Sequence, residues 1–582
     1  MPPRKSIPDL THLTLDPISS LIKAEALRVS HVAVTEFTLD EVMNDRQMYL
    51  SDQVEATKQF ILEHIPALLL ELFIKNSVLV GVCEALISKK QTWTPSYDKR
   101  KFSLEMNAIV KFCNLMVHPV RRALDLASVP HVICTRLYGS LTGFVGLHTL
   151  ILGSGSGGWV PEAYADKFLK ALPRFDKLQK FSLKYDCTEV VLKALSGSCR
   201  KTLRVLDVER SLQIKSQTCV DHILSFKNLV ELNIFKTGLE DSEICQILVG
   251  LKDITQLPRG DFLCDVLEYL EDEVSLDIQF KIQNFWASED YFFHTEEQML
   301  LVAKYCPMIN KALFMFREDC CKDMLILSHF TFLKDLDLWG GKFYVDGIVD
   351  FLQTCGHQLE NLSLVHVEDI DKRAIAIITA TCTKLEKLGF HNCGLVDPSD
   401  RSYENDAAFR DADRLLMLEN EREIKSLLRP MLELHTIKIV GDCTAELLTF
   451  ILSTCLNVKH IFLGMNTDIS DRVWENILQN NTLSNLETIS IQKSGKGFTI
   501  KGIELLILNC DNLKVLKDPT CFEGVHENEV KILKLRIREE NLDLRLEEEE
   551  EKVRDPSGAE LTRAIYSRIT GHANYEQFFQ SP

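Results

Sequence analysis

A leucine phrase, L-x-x-L-x-L, returns about every 26 residues along most of this chain, and that periodicity limits the fold before any single residue is interpreted. Clear copies begin at Leu147, Leu178, Leu203, Leu229, Leu333, Leu359, Leu385, Val458, Leu486 and Leu513, with degraded copies near Ile254, Ile309 and Leu434. A short strand carrying such a phrase points alternate side chains to one side. One coil cannot bury that apolar row alone, so coil must stack on coil, which makes the array a solenoid. Between the phrases run segments that are apolar on one face at helical spacing, such as AYADKFLKAL ahead of Leu178 and ELLTFILSTC ahead of Val458. A strand and a helix per coil predict an α/β horseshoe, with parallel strands on the concave face and helices outside.

Cys306, Cys355, Cys382, Cys455 and Cys510 stand a few residues ahead of their strands, and Cys393 follows one, at positions suited to small buried thiols. The segments TCTKLEKLGFHNCGL and CDNLKVL resemble the cysteine-containing leucine-rich repeats of ubiquitin-ligase substrate receptors, and the resemblance covers roughly residues 140 to 520. It implies a protein-interaction module that carries no catalytic residues of its own.

Three regions follow from where the phrase occurs. Residues 1–135 lack it and read as an all-helical domain, residues 136–525 form the repeat array, and residues 526–582 form a charged helix and tail. An acidic insertion at 397–429 interrupts the array, and a second acidic run passes through Glu547 to Glu551. Both read as solvated segments. The net charge of -18 disfavours nucleic acid, whose phosphates require a basic face. Eighteen cysteines, with no apolar signal region after MPPRKSIPDL, point to a reducing compartment, the cytoplasm or nucleus, and to free thiols. The longest apolar run, IPALLLELFI to VLVGVCEALI, is broken by Lys75 and Asn76 and falls short of a bilayer span, so no membrane is expected.

Two phrases in the helical domain bear on its role. DLTHLTLDPI sets Leu10, Leu13, Thr14 and Ile18 at the start of an amphipathic helix and resembles the Elongin-binding BC-box, with Asp9 where that pattern has a small residue and Thr14 where it has cysteine. IPALLLELF resembles the cullin-2 box through Ile65, Pro66, Leu69 and Phe73. Proline at a first helical turn costs no needed hydrogen bond, and Leu69 and Phe73 share a face. BC-box, cullin box and repeats in that order look like von Hippel-Lindau-box receptors and PRAME-like proteins. The layout implies Elongin B/C and cullin-2 as partners and a protein to be ubiquitinated as the cargo. Two alternatives stay open: an F-box arrangement with a Skp-type adaptor and cullin-1, and a scaffold whose N-terminal helices only cap the array.

Enzymatic chemistry finds little footing. Gly153, Gly155 and Gly158 have a dinucleotide-like spacing between a strand and a helix, but the following strand belongs to the leucine array and Asp186 comes too late for the ribose acid. No C-x-x-C or H-x-x-x-H pair supplies a metal clamp. Neither a cofactor nor a metal is therefore expected. With the leucines inward, the third, fifth and seventh residues of each phrase face the concave surface. That arithmetic nominates Asp207, Glu209, Glu231, Phe235, Asp335, Asp337, Trp339, His391, His460 and Phe462 as partner-binding residues. Phe235, Trp339 and Phe462 are the expected aromatic anchors, and the acids among the rest suggest a basic partner.

Overall fold

The computed structural model describes residues 10–35, 43–64, 67–91, 99–118, 121–127, 131–152, 162–260, 262–274, 278–286, 294–317, 321, 323–393, 395, 422–424, 426–517, 519 and 522–547. The chain divides into two compact units, one spanning Ile7–Ile254 and the other Thr255–Lys552.

The first unit opens with four helices, α1 (Leu10–Thr35), α2 (Met43–His64), α3 (Ala67–Gln91) and α4 (Lys99–Lys111). Ile22, Ala26, Val29 and Ala33 on α1, and Val78, Val82 and Ala85 on α3, recur at helical spacing and are buried. Gly81 lets these helices touch, because a Cβ there would lie 2.6 Å from the Ser19 carbonyl oxygen. Lys89 of α3 meets the fully buried Glu105 of α4 at 2.6 Å. A five-stranded parallel sheet follows: β1 (Ala123–Asp125), β2 (Thr149–Ile151), β3 (Lys180–Ser182), β4 (Val205–Asp207) and β5 (Glu231–Asn233), in sequence order. The first strand thus starts at Ala123, ahead of the first leucine phrase and inside the stretch expected to be wholly helical.

The second unit holds a ten-stranded parallel sheet. It runs β6 (Asn284–Trp286), β7 (Lys311–Met315), β8 (Asp335–Trp339), β9 (Asn361–Val365), β10 (Lys387–His391), β11 (Thr436–Val440), β12 (His460–Leu463), β13 (Thr488–Ile491), β15 (Val515–Lys517) and β17 (Arg545–Glu547). A separate pair joins β14 (Ser494–Thr499) to β16 (Phe522–Gly524). The array predicted as one run is therefore carried by two sheets, because the described residues between β5 and β6 supply no strand to bridge them. The charged C-terminal helix is present as Glu527–Glu539.

Within each coil the alternation is explicit. In β8, Leu336 and Leu338 are buried while Asp335, Asp337 and Trp339 are half-buried. In-register pairing repeats this from strand to strand, stacking Leu336 on Leu362 and Leu338 on Leu364. Asparagines just ahead of the phrases tie the coils together, since Asn228, Asn457 and Asn512 each donate to a backbone carbonyl of the preceding coil, at Lys201, Leu432 and Ser484. Carbonyls that no strand reaches are satisfied in this way. The described cysteines carry thiols, nearly all buried, and several donate to carbonyls, such as Cys199 to Phe175 and Cys455 to Ile451.

Candidate partner-binding face and adaptor-docking end

The open face of each sheet is the one its leucines leave. In the first unit it is crossed by a closed polar network. Lys184 Nζ lies 2.6 Å from Glu209 and 3.5 Å from Asp207. Ser182 donates to Asp207, and Asn233 donates to Glu209. Burial works against the Lys184 ammonium, but Asp207 and Glu209 outweigh it and hold its pKa above the ordinary lysine value. Asp207 and Glu209 were expected to await a basic partner. Glu209 is instead only 6 % exposed, and both acids already share the Lys184 ammonium of the neighbouring coil. Phe235, expected as an exposed anchor, is 5 % exposed. Lys236 turns the chain there with a positive φ of 51° and sets its ammonium 5.2 Å from the ring centroid. Glu231 stays half-buried on the sheet.

In the second unit the expected register holds, with Asp335, Asp337 and Trp339 on one face of β8. Asp335 pairs with Lys311 at 2.7 Å and accepts from Asn361. Desolvation raises the pKa of Asp337, a hydrogen bond from Ser363 opposes it, and Asp335 adds to the rise. The Trp339 ring lies 6.3 Å from His366.

Beyond β8 the character of the face changes. Register places Asn361, Lys387, Thr436, His460, Thr488 and Val515 in one row. The next outward row reads Ser363, Gly389, Lys438, Phe462, Ser490 and Lys517. A third holds Val365, His391 and Val440. Phe462 is half-buried, and Lys438 Nζ rests 5.2 Å from its ring centroid. His391 is half-buried beside Gly389, where a Cβ would stand 3.2 Å from its Nε2. Desolvation lowers the His391 pKa, with Lys438 and His366 adding to the effect. His460 is exposed.

Lys438 is the residue sequence reasoning passed over. It is the fifth position of the degraded phrase at Leu434, so the same arithmetic reaches it once that phrase is granted a strand, which the structure supplies as β11.

The two adaptor phrases fall on α1 and α3. Ser19 meets Gly81, and Lys23 Nζ lies 3.4 Å from Glu84, so the two helices run in the same direction. Leu10, Leu13 and Thr14 lie on α1 and Leu69 and Phe73 on α3, helices that pack together although 47 positions separate Ile18 from Ile65 in sequence. Ile18 is half-buried. Ile65 and Pro66 lie outside the described residues, as do residues 397–421 of the acidic insertion, Gly153, Gly155 and Gly158, and the tail from Glu548 onward. Of the insertion's remainder, Glu423 pairs with Arg373 at 3.0 Å.

Among the described residues no cluster of three or more His, Cys, Asp or Glu side chains could hold a metal ion. Nor is any described helix long and apolar enough to cross a membrane.

These in-register parallel strands, each with its inward apolar side chains, mostly leucine, and most joined to the next by a helix, define an α/β leucine-rich repeat solenoid with a helical N-terminal part. No family model and no curated protein matches the chain. Among solved structures it is similar to a leucine-rich repeat protein of Leptospira interrogans, at 13% identity over 80% of this chain and 98% of that one, with a TM-score of 0.31. It is similar also to the Rad7 and Elc1 complex of yeast, at 12% identity over 84% and 94%, with a TM-score of 0.33. A third likeness is the leucine-rich repeat-containing protein LegL7 of Legionella pneumophila, at 11% identity over 68% and 99%, with a TM-score of 0.27. The fold assignment rests on this chain's own strand register.

Proposed function

We propose that this chain is a non-enzymatic protein receptor that holds a protein on the open face of its second sheet. The observation that carries the reading is the tract from β8 to β12, where Trp339 and Phe462 stand half-buried on the outward face of the sheet beside exposed Lys387, Lys438 and His460. Half-desolvated aromatics beside charge have the composition of interface hot spots.

The more specific reading is a substrate-recognition subunit of a cullin-RING ubiquitin ligase of the Elongin and cullin-2 type. What supports it is the packing of α1 on α3, the two helices on which the BC-box-like and cullin-box-like phrases fall. Catalysis then belongs to recruited partners. The rival reading, a scaffold whose helices cap the repeats, is favoured by one contact: Gly143 sits so close to Val117 that a Cβ would stand 2.5 Å from its methyl group, which locks the turn after α4 onto the first coil.

Affinity purification of the full chain beside a Leu10→Ser/Pro66→Ala variant separates these. The ligase reading expects Elongin B/C and cullin-2 with the wild type and at least tenfold less with the variant. A Skp-type adaptor with cullin-1 in the eluate would move the assignment to the F-box class, and recovery of neither set would leave the capping scaffold.

A further inference from the structure

In a chain of net charge -18, the open-face positions of six successive strands, β9 to β13 and β15, carry no carboxylate among the described residues. At about 4.8 Å per strand that tract is roughly 24 Å wide. Elsewhere in the same unit, cations are met by acids one coil away: Lys311 by Asp335, Lys334 by Glu360, and Lys514 by Glu487. The ladder breaks at β10 and β11. Among the described residues no carboxylate lies within ion-pair distance of Lys387 or Lys438, and both are exposed. Lys438 leans on the Phe462 ring instead, and His391 faces it across Gly389. Acids return on the rim at the strand entries, where Glu360 and Glu487 are already paired and Glu386 is exposed.

We propose that this tract recognises an acidic polypeptide segment, whose carboxylates meet Lys387 and Lys438 while one aromatic or aliphatic side chain packs on Phe462 and Val440. The proposal rests on the reading of this face as the partner-binding surface and reverses the partner charge that the sequence suggested. Complementarity is the physical ground: two exposed ammoniums that no described carboxylate meets favour a carboxylate-bearing partner and repel a basic one. A polynucleotide fits less well, because two lysines among Phe462, Val440 and Gly389 form no continuous phosphate track and the chain's net charge opposes a long polyanion.

The test is selection of a random 12-residue peptide display library on the full chain, followed by fluorescence anisotropy with the winning peptides. Selected sequences are expected to be rich in Asp and Glu around one aromatic or aliphatic residue. They should bind at least tenfold more weakly to the Lys387→Glu/Lys438→Glu variant, weaken with salt, and bind unchanged to a Lys193→Glu control on the other unit. Neutral or basic winners that are lost on Phe462→Ala would overturn the acidic partner while leaving the face as the binding surface. Winners indifferent to Lys387, Lys438, Trp339 and Phe462 alike would overturn both. Displacement of the peptide by a single-stranded oligonucleotide at lower concentration than the peptide itself would make the ligand a nucleic acid and end the proposal. Circular dichroism melts of each variant, expected to keep a cooperative transition because Lys387 and Lys438 are exposed and Phe462 is only half-buried, exclude misfolding as the cause of any loss.

Discussion

The two sheets obey one strand arithmetic and differ in what their open faces do with charge. On β3 to β5 the acids are bonded from the next coil: Lys184 closes on Asp207 and Glu209, and Asn233 completes the network. On β10 and β11 no described acid answers Lys387 or Lys438, and Lys438 rests on the half-exposed Phe462 ring. Counting charged residues therefore misleads about partners. What a partner meets is the charge left after neighbouring coils have paired, and that remainder is close to neutral in the first unit and basic-aromatic in the second.

The inward rows give the first and largest test, since they should not distinguish the units at all. Leu206→Ala and Leu336→Ala each empty a buried strand position and are expected to cost about 3 to 4 kcal/mol in the unit that carries them. Urea unfolding, with one probe per unit, reads the effect. A loss below 1 kcal/mol in either would break the equivalence of the two rows.

Acid is expected to act on the second unit through His294, which is buried and shares a hydrogen bond with the Cys264 thiol at 3.3 Å. Burial pushes its pKa from 6.5 down to about 4. The unfolded imidazole takes up a proton near pH 6.5 and the folded one only near 4, so this contribution is complete above pH 6.5 and is lost as pH falls between the two values. The loss should approach roughly 3 kcal/mol. A His294→Phe variant should flatten that stretch of the pH profile, and an unchanged slope would remove the assignment.

Lys184→Ala leaves the Glu209 carboxylate, nearly buried, with the amide of Asn233 and with Arg210 at 3.7 Å. It is expected to destabilise the first unit by about 2 kcal/mol, the exposed third of the lysine and the nearby arginine keeping the cost below that of a fully buried pair. Lys438→Ala in the second unit should change stability by less than about 0.5 kcal/mol. If Lys438→Ala proved the more costly to stability, the contrast between a structural network and a solvent-facing one would be inverted.

Much of this architecture was legible in the order of residues. The phrase at Leu333 fixed which of Asp335, Leu336, Asp337, Leu338 and Trp339 turn outward, because strand alternation is a local property with a period of two. The helices between phrases were legible for the same reason. The asparagines ahead of the phrases were visible but unread, although Asn228, Asn457 and Asn512 mark where one coil is tied to the last. The strand at Ala123 carried no leucine phrase to announce it. Phe235 shows the limit of the arithmetic: its position in the phrase was right, but the turn at Lys236 carries the ring into cover.

The sequence alone decided that the chain stacks coils, which side chains turn inward in each strand, and that helices precede the array. These follow from periods of two and 3.6 residues, which act within a few positions of the chain. The tertiary structure decided where the array parts into two sheets, that α1 packs on α3 at Gly81, and which charges survive pairing. Those outcomes depend on atoms a whole coil apart, Lys184 with Glu209 or Lys438 with Phe462, whose distances are set by stacking and by nothing local to either residue.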